Sequence, residues 1–287
     1  MKKVIACMIA LSILGCARPI LRHPAFSTVK KLAIVSIYTN HDIYNVKEAE
    51  SNPGLLAGLK KAIHGEAGLE DANVQLTTAA LATYSKELGK LSNWDVVDSS
   101  VLIADETYMA FVSETMAGGA LAAFATAGFV TPPGMALVPF ESIAGKANTK
   151  TYGDDPTAAV KARLAQLAAD LGVDGVAVID VDCAYEKGAF SGMSGTGLLS
   201  GIRGKATPSV SSAMMVITRD GSIAVQTKHV QHGGGKRHSA GKAPMLLKSK
   251  VDLTGEKGAE SIMVFDSAFL LNADALKIAI QEELAGG

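Results

Sequence analysis

The apolar positions of this chain follow two periods, and the order in which the periods alternate predicts its layout. Lys31-Leu-Ala-Ile-Val-Ser-Ile-Tyr38 is a β-branched run that reads as a buried strand. Asn52-Pro53 supplies an N-cap and a first-turn proline, with Leu55, Leu56, Leu59 and Ile63 on one helical face and Gly65 past the end. Leu81, Tyr84, Leu88 and Leu91 repeat at helical spacing and predict a second helix over roughly 75–91. Trp94-Asp-Val-Val97 predicts a short strand, after which Ser99 or Ser100 caps a helix through about residue 112.

Asp155-Pro156 opens another helix, with Val160, Leu164, Leu167 and Leu171 facing a core and Gly172 ending it. Val173 to Tyr185 is the strongest strand pattern in the chain. Ser209–Thr218 and Ile223–Val230 then predict a hairpin across Arg219-Asp-Gly-Ser222, where Gly221 supplies a left-handed position. The segment from about 256 to 285 reads as helix, with Asn272 a candidate second cap. Strands separated by helices come first and an antiparallel meander follows. The expected fold is therefore α+β with an α/β-like start: a mixed sheet of about five strands, helices mainly on one face, a C-terminal hairpin meander and a terminal helix.

The first sixteen residues change the picture most. Met1-Lys2-Lys3 is cationic, and Val4 to Leu14 is eleven residues without a charge, which matches the n-region and h-region of a secretory signal and is too short to span a bilayer. The run ends Ile13-Leu14-Gly15-Cys16, which resembles the lipobox of bacterial lipoproteins; Leu14 is bulkier than the Ala or Ser usual there. The resemblance implies cleavage before Cys16, a diacylglycerol thioether on its sulfur and an acylated, palmitate-bearing amine. It also implies sorting to the outer membrane, because Ala17 rather than Asp follows the cysteine. The expected organisation is a signal peptide over 1–15, a lipidated tether over 16–29 and a single periplasmic α/β domain over 30–287. That domain carries a Gly/Ala-rich insertion at about 113–150.

Composition then excludes whole classes. With 27 basic and 28 acidic residues in 287 the net charge is −1, and losing Lys2 and Lys3 with the signal takes it to −3, so electrostatic nucleic-acid binding is not expected. Of the three cysteines, Cys7 leaves with the signal and Cys16 is acylated, so Cys183 remains as a lone thiol and no disulfide is expected.

The short patterns at Lys31–Tyr38, Trp94-Asp-Val-Val-Asp98, Leu171-Gly-Val-Asp-Gly-Val-Ala-Val178 and Met214-Met-Val-Ile-Thr-Arg-Asp-Gly221 carry a second likeness. Their order resembles the periplasmic domains of the curli-secretion lipoprotein, of the lipoprotein activators of penicillin-binding proteins and of the Tol propeller protein's N-terminal domain. Asp220-Gly221 departs from the family's Thr-Gly-Glu-like turn. The resemblance implies a non-catalytic scaffold that binds another envelope protein or forms a homo-oligomer, and it assigns no catalytic, metal or cofactor residue.

Four local features are candidates for function. Met116 to Phe140 holds 25 residues without a charge, broken by Pro132-Pro133-Gly134, and reads as an Ala/Gly-packed hairpin or loop, or as a segment that touches a membrane or a partner. In the second case the chain would be an oligomeric export or pore component. Asp180 and Asp182 share one strand face, as paired carboxylates would, but no histidine or third carboxylate stands at a telling spacing. His229, His232 and His238 lie in a stretch with no acidic residue between 228 and 251, suited to a basic loop or to anionic head groups. Gly188–Gly204 is glycine-rich without any phosphate-loop pattern, and no G-x-S-x-G or H-E-x-x-H occurs, so an enzyme is not expected.

Overall fold

Two β-branched runs form the centre of one sheet, and the rest of the architecture follows from the need to cover both of its sides. The computed structural model describes residues 20–21, 23–40, 67–91, 94–116, 129–144, 156–187, 205–227, 245–246 and 255–286. The predicted helix at 53–63 lies outside them. The strands are β1 (Ile20–Leu21), β2 (Lys31–Asn40), β3 (Asp95–Val96), β4 (Phe129–Val130), β5 (Gly175–Lys187), β6 (Lys205–Thr218), β7 (Ile223–Gln226) and β8 (Met245–Leu246). The helices are α1 (His23–Thr28), α2 (Ala67–Leu88), α3 (Ser99–Ala104), α4 (Glu106–Met116), α5 (Glu141–Ala144), α6 (Pro156–Asp170) and α7 (Gly255–Gly286).

The sheet runs β1-β7-β6-β5-β2-β3, with β4 added at the end of β2 and β8 at the start of β6. β2 is parallel to β5 and to β3, while β5, β6, β7 and β1 pair antiparallel in turn. The fold is thus a mixed sheet of the α+β class with the expected hairpin meander and terminal helix. Gly221, at φ 82°, makes the turn between β6 and β7, and the Asp220 carboxylate accepts from the Ser222 N–H inside it.

The helices do not gather mainly on one face as expected; they cover both. Leu32, Ile34 and Ile37 of β2 with Ala177, Ile179 and Val181 of β5 pack under α1, α2 and α7. Ala33, Val35 and Tyr38 with Val176 and Val178 pack under α3, α4, α5 and α6. Because β2 and β5 are apolar on both sides, a single helical layer would leave half of their surface in water. A bulge helps: Val35 has no partner on β5 between the Ile34–Ala177 and Ser36–Val178 pairs, so Val35 and Ser36 turn to the same side.

Aspartates decide where helices begin. The expected single helix from Ser99 to about 112 is two, because the Asp98 carboxylate, rather than Ser99 or Ser100, caps α3 by accepting from the Ser100 N–H at 2.7 Å. Asp105 then adopts an extended backbone and accepts from the Thr107 and Tyr108 N–H groups, which starts α4. α6 matches expectation, with Val160, Leu164 and Leu167 buried and Gly172 at φ 62° after its end.

Asp174 ties three elements together at the start of β5. Its carboxylate accepts from the backbone N–H groups of Lys30 at 3.0 Å and Lys31 at 2.8 Å, and Arg219 of the hairpin turn pairs with it. The Lys31 N–H first, with Lys30 and Arg219, holds this carboxyl below the usual aspartate range against the opposing effect of burial. A depressed folded value contributes stability that is present above the ordinary aspartate pKa and fades as pH falls through the folded one. Asp174→Asn is therefore expected to lose about 1–2 kcal/mol at pH 7 and progressively less below pH of about 4. Urea melts of both proteins at pH 7 and pH 3 measure this; a gap that widened on acidification would refute it.

Candidate functional site

The sheet end formed by the C-terminal ends of β2 and β5 is the candidate site, since ligand-binding and partner-binding loops gather there in sheets with parallel strands. β2 ends there at Asn40, β5 at Lys187, and β6 begins there at Lys205. β4 pairs with Thr39 and Asn40 at the same end. The glycine-rich stretch 188–204 and the histidines at 229, 232 and 238 lie outside the described residues. The positions that lead into them, Lys187 and Thr227, lie at this end or run toward it.

The uncharged segment is divided by the structure. Residues 117–128 lie outside the described residues, whereas 129–140 are part of the fold. After β4 the chain turns at Pro132-Pro133-Gly134, where Gly134 has φ 77°, and Met135 to Phe140 runs as a strap beside β2. Its alternate N–H groups are taken by side-chain oxygens: Ala136 donates to the Tyr108 hydroxyl at 3.0 Å, Val138 to Ser36 Oγ at 3.0 Å and Phe140 to the Tyr38 hydroxyl at 2.7 Å. Tyr108 in turn donates to the carbonyl of the bulged Val35 at 2.7 Å. Ala136 and Val138 are fully buried. A membrane-touching segment spanning 116–140 would have to break these bonds, so the stretch open to such a role narrows to 117–128.

A second polar cluster sits between the other sheet face and the paired helices α2 and α7. Asn272 Oδ1 accepts from the Tyr84 hydroxyl and from Ser212 Oγ, both at 2.6 Å, and Asn272 Nδ2 donates to the Val210 carbonyl at 3.0 Å. Asn272 does not re-cap the terminal helix as expected. α7 runs unbroken from Gly255 to Gly286, and the side chain spends its bonding capacity on β6 and α2 instead. Cys183 is fully buried on this face, and burial first, then the nearby Asp182 and Asp180, pushes its thiol well up, away from the thiolate form that nucleophilic or metal chemistry needs. Burial likewise pushes the Tyr84 hydroxyl up.

Glu87 of α2 completes the pairing of the two helices. Its nearly buried carboxylate meets Lys90 at 2.5 Å and Lys277 of α7 at 3.3 Å, and these partners hold its carboxyl below the usual range.

Asp180 and Asp182 do share one face, opposite the Ala177, Ile179, Val181 and Cys183 side of β5, and both are half-buried. Among the described residues no group of three or more His, Cys, Asp or Glu side chains is placed to hold a metal ion. Among the same residues no helix is long and apolar enough to cross a membrane.

The N-terminal segment is the largest departure from expectation. The tether expected over 16–29 is mostly structure: β1 pairs Ile20 with Gln226 and Leu21 with Val225, and α1 buries Phe26 against Trp94 with ring centroids 5.6 Å apart. Only residues 17–19 separate Cys16 from the sheet. The missed signal is an apolar Phe26-x-x-Val29 pair that Pro19, Pro24 and the flanking charges hide from a reading by composition.

No protein-family model, no curated protein and no solved structure matches this chain.

Proposed function

We propose that this protein is a lipid-anchored lipoprotein of the outer membrane that faces the periplasm and acts as a non-catalytic scaffold or partner-binding module of the cell envelope. The observation that carries the reading is Ile13-Leu14-Gly15-Cys16 placed directly after an uncharged eleven-residue run and a Lys2-Lys3 start. Two or three acyl chains at Cys16 make a lasting anchor, at about 0.8 kcal/mol per buried CH2. Two structural facts support the rest. The described polar clusters join one element to another, Tyr84 and Ser212 through Asn272, and Tyr108 between Val35 and Ala136. The Cys183 thiol is fully buried, and that burial pushes its pKa up.

Metabolic labelling with an alkyne fatty acid in a bacterial host tests the anchor. The wild type is expected to take up label and to float with outer-membrane vesicles, and Cys16→Ala to lose both. Label retained by Cys16→Ala would refute the proposal. Cross-linking in intact envelopes then asks whether the bound neighbour is another envelope protein or a second copy of this chain.

A further inference from the structure

We infer that the bilayer holding Cys16 lies against the β1 edge of the sheet and the tips of the β5–β6 ribbon, with the β3 edge and α3 turned away from it. The inference rests on the lipoprotein reading and adds to it an orientation and a contact surface.

The argument is one of chain length and register. Ile20 is paired with Gln226, which stands level with Met215 of β6, Val178 of β5 and Ser36 of β2. Leu21 is level with Val225, Val216 and Ala177. Stepping back from Leu21 to Ile20 therefore moves toward Lys187, so the chain enters β1 from the side of the β5 and β6 tips. Cys16 is four residues before Ile20, and four residues span at most about 14 Å. From the level of Ile20 to Lys187 there are nine further residues of β5, about 30 Å at strand rise. The paired tips, Lys187 with Ala206 and Glu186 with Thr207, thus reach farther along the strand direction than the anchor does. A bilayer that admits the acyl chains of Cys16 on so short a leash has to run along that flank.

The docking of β1 and α1 makes this an orientation rather than a radius. A free tether over 16–29 would allow the fold to tumble tens of ångströms from the surface. With β1 on β7, and Phe26 and Val29 buried in the core, the leash has no length with which to turn the fold over. β3 is the opposite edge of the strand order, and α3 follows it with Val101 63% exposed.

The full-length acylated protein, reconstituted into phosphatidylethanolamine and phosphatidylglycerol vesicles carrying nitroxide head groups, tests this through an environment-sensitive dye at single introduced cysteines. Glu186→Cys on the ribbon is expected to be quenched several-fold more strongly than Val101→Cys on α3. Lys205→Cys, at the start of β6, is a second ribbon reporter with the same expected result. Equal quenching at the ribbon and at 101, or stronger quenching at 101, overturns the inference. Inserting about a dozen Gly/Ser residues after Ala17 is expected to abolish the difference; a difference that survives insertion overturns the argument from leash length. Mass analysis of the same samples separates the two levels. An unmodified Cys16 defeats the lipoprotein reading and the orientation with it, whereas an acylated Cys16 with equal quenching defeats the orientation alone.

Discussion

Asn272→Ala is expected to destabilise the fold by about 3–4 kcal/mol, more than most point substitutions do. Asn272 is 6% exposed in the middle of α7, and its truncation takes a partner from the buried Tyr84 hydroxyl, Ser212 Oγ and Val210 carbonyl between helix and sheet. Each buried group left without its partner costs about 1–3 kcal/mol, whereas removing the partners together costs much less. The triple change Asn272→Leu, Tyr84→Phe and Ser212→Ala is accordingly expected to recover a large part of the loss. Urea denaturation of the single and triple variants at pH 7 reads both quantities. A single variant within 1 kcal/mol of wild type, or a triple variant no better than the single, would show that the cluster does not hold α2 and α7 to β6.

Tyr108→Phe is expected to cost about 2–3 kcal/mol and to loosen the strap selectively. The hydroxyl it removes is the one group that joins the bulged Val35 carbonyl to the Ala136 N–H, with donor–acceptor distances of 2.7 and 3.0 Å. The ring itself stays packed beside Phe111, centroids 6.4 Å apart, so the loss comes from hydrogen bonding rather than from a cavity. Amide exchange at Ala136 and Val138 should rise well beyond the change at Val176 or Val178 on the neighbouring strand. Uniform acceleration at all four amides would mean that the strap opens only with the whole fold. This variant also bears on the proposed envelope role, because a freed strap would restore uncharged chain to the segment that leads back to residue 117.

Much of the fold is legible in local pattern. The stretches 32–35 and 176–179, at the heart of the two strand runs, are apolar without interruption, and such stretches have nowhere to go but the centre of a sheet. Pro156 and Gly172 mark both ends of α6, and Asp220-Gly221 marks the hairpin, because a first-turn position and left-handed backbone depend on the residue that occupies them. The same alternation in β2 and β5 could also have told that helices cover both faces, since every residue from Leu32 to Tyr38 is buried. A reading that counts strands and helices without asking which faces are apolar misses it.

The candidate site was far less legible, and the polar residues explain why. Tyr108, Ser36 and Tyr38 lie on two elements, and only the Val35 bulge and the path of the strap bring their oxygens to alternate N–H groups of 136–140. Nothing in the spacing of these residues announces that pattern. Asn272 reads locally as a cap because short polar side chains compete for backbone, yet with Tyr84 and Ser212 within reach it bonds across the interface. Residues 16–29 read as a tether because Pro19 and Pro24 with nearby charges mark linkers, yet a sheet with a free β7 edge and a Trp94 ring to cover makes 20–21 and 23–29 part of the fold.

What the sequence determined by itself is the structure that acts through contiguous residues: the strand and helix runs, the caps and the glycine turns, beside the Ile13–Cys16 pattern on which the proposed anchor rests. Each depends on neighbours within a few positions, so it survives in the linear order. Tertiary structure alone decided the two buried hydroxyl clusters and the docking of β1 and α1 onto the sheet. Those depend on which distant backbone groups and apolar faces need a partner, and that demand exists only once the sheet has formed.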